Sequence, residues 1–216
     1  MTPKVKVCGI TSKTDALAAV EAGADALGFM FYPRSKRAVT SPQIASIVKE
    51  LPPFVSLVGV FVNEEIDEIH RVIRECRLDT VQLHGEESPE FCSQVDCRVI
   101  KAFRLQSKSV LEEAKNYRTS AWLLDSYSPK ARGGTGDSFN WDWVREAGPL
   151  EKPTMIAGGL NPENASQCVQ ATQPYGLDVS SGVEDSPGRK SPEKMKAFVC
   201  ATKNAALTHQ SGPDKA

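Results

Sequence analysis

The chain has 216 residues, 40% apolar and 25% charged, with 26 lysines and arginines against 27 aspartates and glutamates. That composition excludes disordered and fibrous classes, and the length suits one domain with one core. A net charge of −1 gives no field to draw in a nucleic acid, and the longest apolar runs, Ala26 to Tyr32 and Leu57 to Val62, fall far short of the roughly 20 residues a membrane helix needs.

The N-terminal stretch MTPKVKVCGITSK is charged at Lys4 and Lys6 and lacks the apolar core of a secretory signal, which points to the cytoplasm. Six cysteines (Cys8, Cys76, Cys92, Cys97, Cys168 and Cys200) show no C-x-x-C pattern. In a reducing compartment they read as small core residues, not as disulfides or a zinc site.

In chain order, short β-rich runs recur at Val5 to Ile10, Ala26 to Phe31, Val55 to Val62, Thr80 to His84, Val99 to Phe103, Ala121 to Asp125, Thr154 to Gly158 and Gly176 to Ser180. They are continuously apolar, as parallel strands covered on both faces should be, with Gln82 and Lys101 as interruptions. Helical patterns lie between them. Ser12 with Asp15, Ser88 with Pro89, and Asn161 with Pro162 carry helix-start signals. Ser41-Pro42 precedes Ile44, Ile47, Val48 and Leu51; Asn63 precedes Ile66, Ile69, Ile73 and Cys76; Ser191-Pro192 precedes Met195, Phe198 and Val199. The helices after Phe103 and Asn140 are more weakly marked. Residues 1–204 are expected to form the domain and the polar end, Ala205 to Ala216, to fray.

Strand then helix, eight times over, leaves an open doubly wound sheet or a closed (β/α)8 TIM barrel. The count favours the barrel, and Cys8-Gly9-Ile10-Thr11 after the first strand lacks the glycine spacing of a dinucleotide fold. In a barrel the active site lies at the C-terminal ends of the strands. There the strands deliver Cys8, the cations Arg34, Lys36 and Arg37, Gln82 and His84, Arg104, Asp125, Gly158-Gly159 and Ser180-Ser181-Gly182.

Small residues after the seventh and eighth strands let backbone N–H groups approach a phosphate. A second anionic group would need an arginine fork, for which Arg37 is the choice, with Arg34 and Lys36 left to solvent. Cys8, followed by glycine, is a candidate general base whose pKa nearby cations could lower. Asp125 is a candidate acid, because Pro129 and three glycines between Ser126 and Phe139 leave no helix directly after it to cap. An acid and a base on different strands point to proton shuffling on a phosphorylated sugar. His84 is placed either to contact ligand or to bond a loop, His70 and His209 are bystanders, and Trp122, Trp141 and Trp143 read as packing.

With these residues assembled, the sequence closely resembles the phosphoribosylanthranilate isomerase family, eightfold barrels of tryptophan biosynthesis. The match runs from Lys4 to about Ala201 through KVCGIT (Lys6 to Thr11), GFMFYPRSKR (Gly28 to Arg37), GVFVN (Gly59 to Asn63), VQLHG (Val81 to Gly85), LLD (Leu123 to Asp125), GGTG (Gly133 to Gly136), FNW (Phe139 to Trp141), GGLNPEN (Gly158 to Asn164) and DVSSGVE (Asp178 to Glu184). Asp137, after GGTG, is a departure, since lysine is as much expected there.

The resemblance implies a cofactor-free, metal-free Amadori rearrangement of N-(5'-phosphoribosyl)anthranilate, a small phosphorylated substrate. Cys8 is implied as general base and Asp125 as general acid. Asp125 would protonate the furanose ring oxygen and open it to a Schiff base, and Cys8 would take the C2′ proton. Arg37 resembles the arginine that binds the anthranilate carboxylate, and Gly159, Ser181 and Gly182 resemble part of a phosphate cradle. His84, Gly158, Asp178 and Ser180 complete the substrate-binding set. Both monomers and homodimers fit. The competing readings are the histidine-pathway isomerase, which would want an aspartate in place of Cys8, and a non-catalytic phosphosugar-binding or thiol-sensing barrel.

Overall fold

The computed structural model of the chain describes residues 2–125, 141–148 and 150–208. Eight parallel strands close into a barrel: β1 (Lys4–Cys8), β2 (Ala26–Met30), β3 (Ser56–Phe61), β4 (Thr80–Leu83), β5 (Arg98–Arg104), β6 (Ala121–Asp125), β7 (Thr154–Ala157) and β8 (Gly176–Val179). Each pairs with its neighbours in sequence, and β8 returns to β1, so the ring has no free edge. All eight expected strands are present, their ends shifted by a residue or two.

The helices are α1 (Lys13–Glu21), α2 (Ser41–Val48), α3 (Ile66–Cys76), α4 (Pro89–Cys92), α5 (Ser109–Ala114), α6 (Asp142–Ala147), α7 (Ala165–Thr172) and α8 (Pro192–Thr208). Ser12 and Ser88 cap as their sequence signals indicate, accepting from the N–H groups of Asp15 and Phe91. Two starts fall later than the sequence suggests. Asn63 takes a left-handed backbone (φ 51°) and its side chain accepts from Glu86 N–H, so α3 begins at Ile66. Asn161 uses its side chain on the N–H groups of Glu163 and Asn164, a local turn that delays α7 to Ala165. At the far end α8 continues to Thr208 with Ala205 in the core, so the expected tail starts too early; residues 209–216 lie outside the described ones.

Strand alternation sorts the side chains into two layers. Outward residues such as Val5, Val7, Leu27, Phe29 and Trp122 join the helices in the larger core, where Phe103 meets Trp122 edge to face at 6.3 Å. Trp141 and Trp143 pack against the same core, as expected of them. Inward residues Ile100, Ala102, Ala121, Leu123, Met155 and Ala157 form a second, smaller cluster inside β5–β7. Both faces being dry explains the continuously apolar runs. The two interruptions are buried: Gln82 faces the interior, and Lys101 faces outward to Glu87 at 3.0 Å.

After β8 a short 3₁₀ turn (Ser181–Val183) leads into a two-stranded hairpin, β9 (Glu184–Ser186) and β10 (Arg189–Lys190), turned by Pro187 and Gly188. Neither strand is expected from the sequence, because the segments are too short and too charged to show a pattern. Thr11 Oγ1 donates to Gly188 O at 2.6 Å and Lys190 N–H to Asp15 Oδ2 at 3.1 Å, which locks the hairpin over the mouth of β1. No helix among the described residues is long and apolar enough to cross a membrane.

Candidate active site

Inward alternation on β1 brings Lys6 and Cys8 to the barrel interior, and on β8 it does the same for Asp178. Lys6 and Asp178 are register partners joined by an ion pair of 2.8 Å, with side chains 0% and 8% exposed. Burial alone would lower the Lys6 ammonium. Asp178 and Cys8 together outweigh it, and the lysine sits above its ordinary pKa. Cys8 ends β1 with 5% exposure, opposite Gly28 of β2. The expectation that cations lower its pKa is corrected here: burial raises the thiol, and Lys6 and Lys190 recover only part of that rise.

Asp125 ends β6 and faces the same interior. His84, just past β4, lies with its Nε2 3.2 Å from Asp125 Oδ2, and Gln82 Nε2 lies 2.8 Å from its Nδ1. Of the two expectations for His84, the bond to a loop is not what the structure shows: the ring bonds the candidate acid. With the Gln82 amide donating to Nδ1, the ring carries its proton on Nε2 and donates to an Asp125 carboxylate. Were the amide reversed, Oε1 would accept Nδ1–H and Nε2 could receive a proton held by Asp125. Gln82 Oε1 is buried with no partner among the described residues.

The cationic side of the mouth is built on Arg37. Its Nε and Nη2 donate to the two oxygens of Glu184 at 2.7 and 2.6 Å. Lys190 Nζ reaches Glu184 Oε1 at 2.9 Å and Ser180 O at 3.1 Å. These two cations hold Glu184 below its ordinary pKa despite the opposing effect of burial, while burial lowers Lys190. Gly9, at φ 76°, must be glycine: a Cβ there would stand 2.4 Å from Arg37 Cδ, so the arginine lies directly over the β1 loop. Arg34 and Lys36 are exposed, as expected.

The glycine pair after β7 has φ 89° at Gly158 and 64° at Gly159, and a Cβ on Gly159 would meet nothing within 4 Å. Asn164 fixes this loop, donating to Gly159 O at 3.0 Å and accepting from Asn161 N–H at 2.9 Å. From β8, Gly182 packs so closely that a Cβ would approach Leu160 O to 1.9 Å, while Ser180 and Ser181 lead into the turn. The two loops therefore touch through backbone and leave an unfilled space beside Gly159, which suits an anion bound by N–H groups.

The structure thus brings Cys8, Asp178, Ser180 and Arg37 into one charged cluster, His84 with Asp125 into a second group, and Gly158, Gly159 and Gly182 into a third. The GGTG stretch at 133–136, Asp137 and the loop from Tyr127 to Arg132 lie outside the described residues. Four members of the site were not singled out from sequence as functional: Lys6, Glu184, Lys190 and, as partner of His84, Gln82. The available signal was Lys6, a charge flanked by Val5 and Val7 and two positions before Cys8, on a strand that must be buried. Among the described residues no group of three or more His, Cys, Asp or Glu side chains is arranged to hold a metal ion.

A family model described as N-(5'phosphoribosyl)anthranilate (PRA) isomerase matches residues 5–201. An N-(5'-phosphoribosyl)anthranilate isomerase of Geobacter metallireducens is 54% identical, over 91% of this chain and 96% of its own. The crystal structure of phosphoribosyl anthranilate isomerase from Thermotoga maritima superposes with a TM-score of 0.88 at 44% identity, covering 94% of this chain and 99% of that one. A further isomerase structure, in complex with reduced 1-(o-carboxyphenylamino)-1-deoxyribulose 5-phosphate, gives 0.85 at 42% identity with the same coverage.

Proposed function

The chain belongs to the N-(5'-phosphoribosyl)anthranilate isomerase family, and from that premise we propose which of its residues carry each step. It is an isomerase of tryptophan biosynthesis that converts N-(5'-phosphoribosyl)anthranilate to 1-(2-carboxyphenylamino)-1-deoxyribulose 5-phosphate by acid–base Amadori rearrangement. The histidine-pathway isomerase and the non-catalytic barrel are set aside by this membership.

Asp125 is the general acid: it protonates the furanose ring oxygen, the C1′–O bond breaks, and the anilino nitrogen becomes a Schiff base. Cys8 is the general base that removes the C2′ proton, and the resulting enolamine tautomerises to the ketone. The observation that carries this assignment is the placement of Cys8 and Asp125 on inward-facing strand ends of one barrel mouth, with an arginine on one flank and a glycine-lined space on the other. Arg37 takes the anthranilate carboxylate through Nη1, since Glu184 occupies its Nε and Nη2. Gly158, Gly159, Ser180, Ser181 and Gly182 take the phosphate, and Asp178 and His84 line the space between. His84 also hands Asp125 its proton environment.

The test is turnover of freshly made substrate, followed by the loss of its fluorescence. Cys8→Ser and Asp125→Asn are each expected to lower kcat by about 10²- to 10⁴-fold with little change in KM. Near-normal kcat in either variant removes that residue from the chemistry. Arg37→Ala is expected to act mainly on KM.

The same proposal extends to setting and assembly. All six cysteines are unpaired, which suits a reducing cytoplasm. At the face opposite the active site, Phe54 is 98% exposed beside half-exposed Tyr175, and both line a cavity of about 490 Å³ bounded by the first residues of the strands. An exposed aromatic beside a hollow on one face suits the pairing of two copies across a two-fold axis, and a homodimer through this face is the assembly we propose.

A further inference from the structure

Lys6 has no part in the acid–base pair, yet it is among the most buried charges of the barrel. An ammonium in such a place is costly unless other charges compensate it. Asp178 does so at 2.8 Å, and a purely structural cross-link between β1 and β8 would end there. The geometry goes further. Cys8 Sγ and Lys6 Nζ lie 2.8 and 3.1 Å from a single point, the position a Cβ on Gly28 would occupy. Gly28 is the register partner of Cys8 and keeps that space open, so the ammonium stands between carboxylate and sulfur.

The surrounding charges point the same way. Lys6 on β1, Lys190 on β10 and Arg37 after β2 face the thiol, against the carboxylates of Asp178 on β8 and Glu184 on β9. Beyond Asp178 stand Asp125 on β6 and His84 after β4. In the cluster around the sulfur three basic side chains face two acidic ones, an excess that favours negative charge at Cys8.

We propose that Lys6, anchored by Asp178, is a positioning residue of the reaction: its ammonium sustains Cys8 as the thiolate that takes the C2′ proton. The inference rests on Cys8 being the base. In the step the C2′–H bond breaks, the proton passes to Sγ to give the neutral thiol, and the electron pair stays on the substrate as the enolamine. Lys6 gives up no proton. Because burial holds the thiol above its ordinary pKa, the enzyme runs on a minority of thiolate, and Lys6 sets the size of that minority.

The experiment follows the rate of iodoacetamide alkylation of Cys8 against pH, read by mass spectrometry on the Cys8 peptide, in full-length wild type, Lys6→Met and Asp178→Asn. Lys6→Met is expected to move the thiol titration up and to slow alkylation about tenfold or more at neutral pH, a shift of one unit or more. The acid limb of kcat/KM moves with it. Asp178→Asn removes the carboxylate that opposes the thiolate and moves the titration down. Both variants break the same ion pair and share whatever structural damage follows, so opposite shifts separate electrostatics from packing. An unmoved titration in Lys6→Met, or upward movement in both variants, overturns the proposal. Alkylation reports the thiol whether or not it is the base, so failure of the Cys8 assignment shows separately, as retained kcat in Cys8→Ser.

Discussion

Glu87 and Lys101 form an ion pair at 3.0 Å just behind the active-site loop that follows β4, with side chains 2% and 3% exposed. Glu87 accepts from the N–H groups of Asn63 at 2.8 Å and Gly85 at 2.9 Å, while Lys101 donates to Gly85 O at 2.7 Å. The pair therefore ties the loops after β3 and β4 to the outer face of β5. Removing one member of such a pair costs about 3–5 kcal/mol, because the survivor is a bare buried charge, whereas replacing both by apolar groups is often close to neutral. Glu87→Ala belongs at the upper end, about 4–5 kcal/mol, since it also strands two amide donors at about 1–3 kcal/mol each before any relaxation. Lys101→Met belongs at about 3 kcal/mol, because the two N–H groups still solvate the carboxylate. At about 2–4 °C per kcal/mol for a chain of this size, Glu87→Ala lowers Tm by about 8–20 °C. Urea unfolding followed by tryptophan fluorescence measures all three states, and the Glu87→Leu/Lys101→Met double variant should lose less than the two single variants combined. Single losses under about 1 kcal/mol, the range of an exposed pair, would refute the reasoning.

The Arg37–Glu184–Lys190 cluster gives a pH-dependent prediction. Glu184 is held below its ordinary pKa in the fold, so its contribution to stability is complete above the unfolded value, about 4.3, and drains away as pH falls through the folded one. Urea titrations of wild type and Glu184→Gln should show a stability gap at neutral pH that narrows in acid; a gap constant across that range contradicts the assignment. For the dimer proposed through the opposite face, Phe54→Asp should give a monomer in light scattering while kcat stays within about twofold, since the exposed Phe54 precedes β3 at the strand ends away from Cys8 and Asp125. A wild-type chain that is monomeric at micromolar concentration would remove the dimer.

What was legible in the sequence was whatever depends on strand order. Apolar runs gave all eight strands because both of their faces are dry, and alternation then placed Cys8, His84 and Asp125 inside without knowledge of any contact. Glycines were legible only as places where backbone comes close. That Gly9 yields to Arg37 and Gly182 to Leu160 O depends on segments distant in sequence. Partners were the hidden part. Nothing around Glu184 in the chain says that it meets Arg37, and Lys6 resembles an ordinary N-terminal charge until β8 sets Asp178 against it. Helix starts failed at Asn63 and Asn161 because an asparagine side chain bonds another loop, as Asn63 does at Glu86, or a local turn, as Asn161 does at Asn164, as readily as a helix end.

The proposed carboxylate site at Arg37 gives a chain of net charge −1 a way to hold an anionic substrate without a broad positive field. An unpaired arginine would attract a carboxylate more strongly, yet it would be spread over many rotamers and would lose that freedom on binding. Glu184 fixes two edges of the guanidinium through a bidentate pair, and Gly9 gives the side chain a floor, so the remaining edge is aimed before any ligand arrives. The carboxylate that does this cancels much of the attraction. Lys190, behind Glu184 at 2.9 Å and fully buried, restores it by drawing part of that negative charge away from the ligand. Direction is thus bought with charge, and the second cation returns enough charge for the site to bind one carboxylate in one orientation.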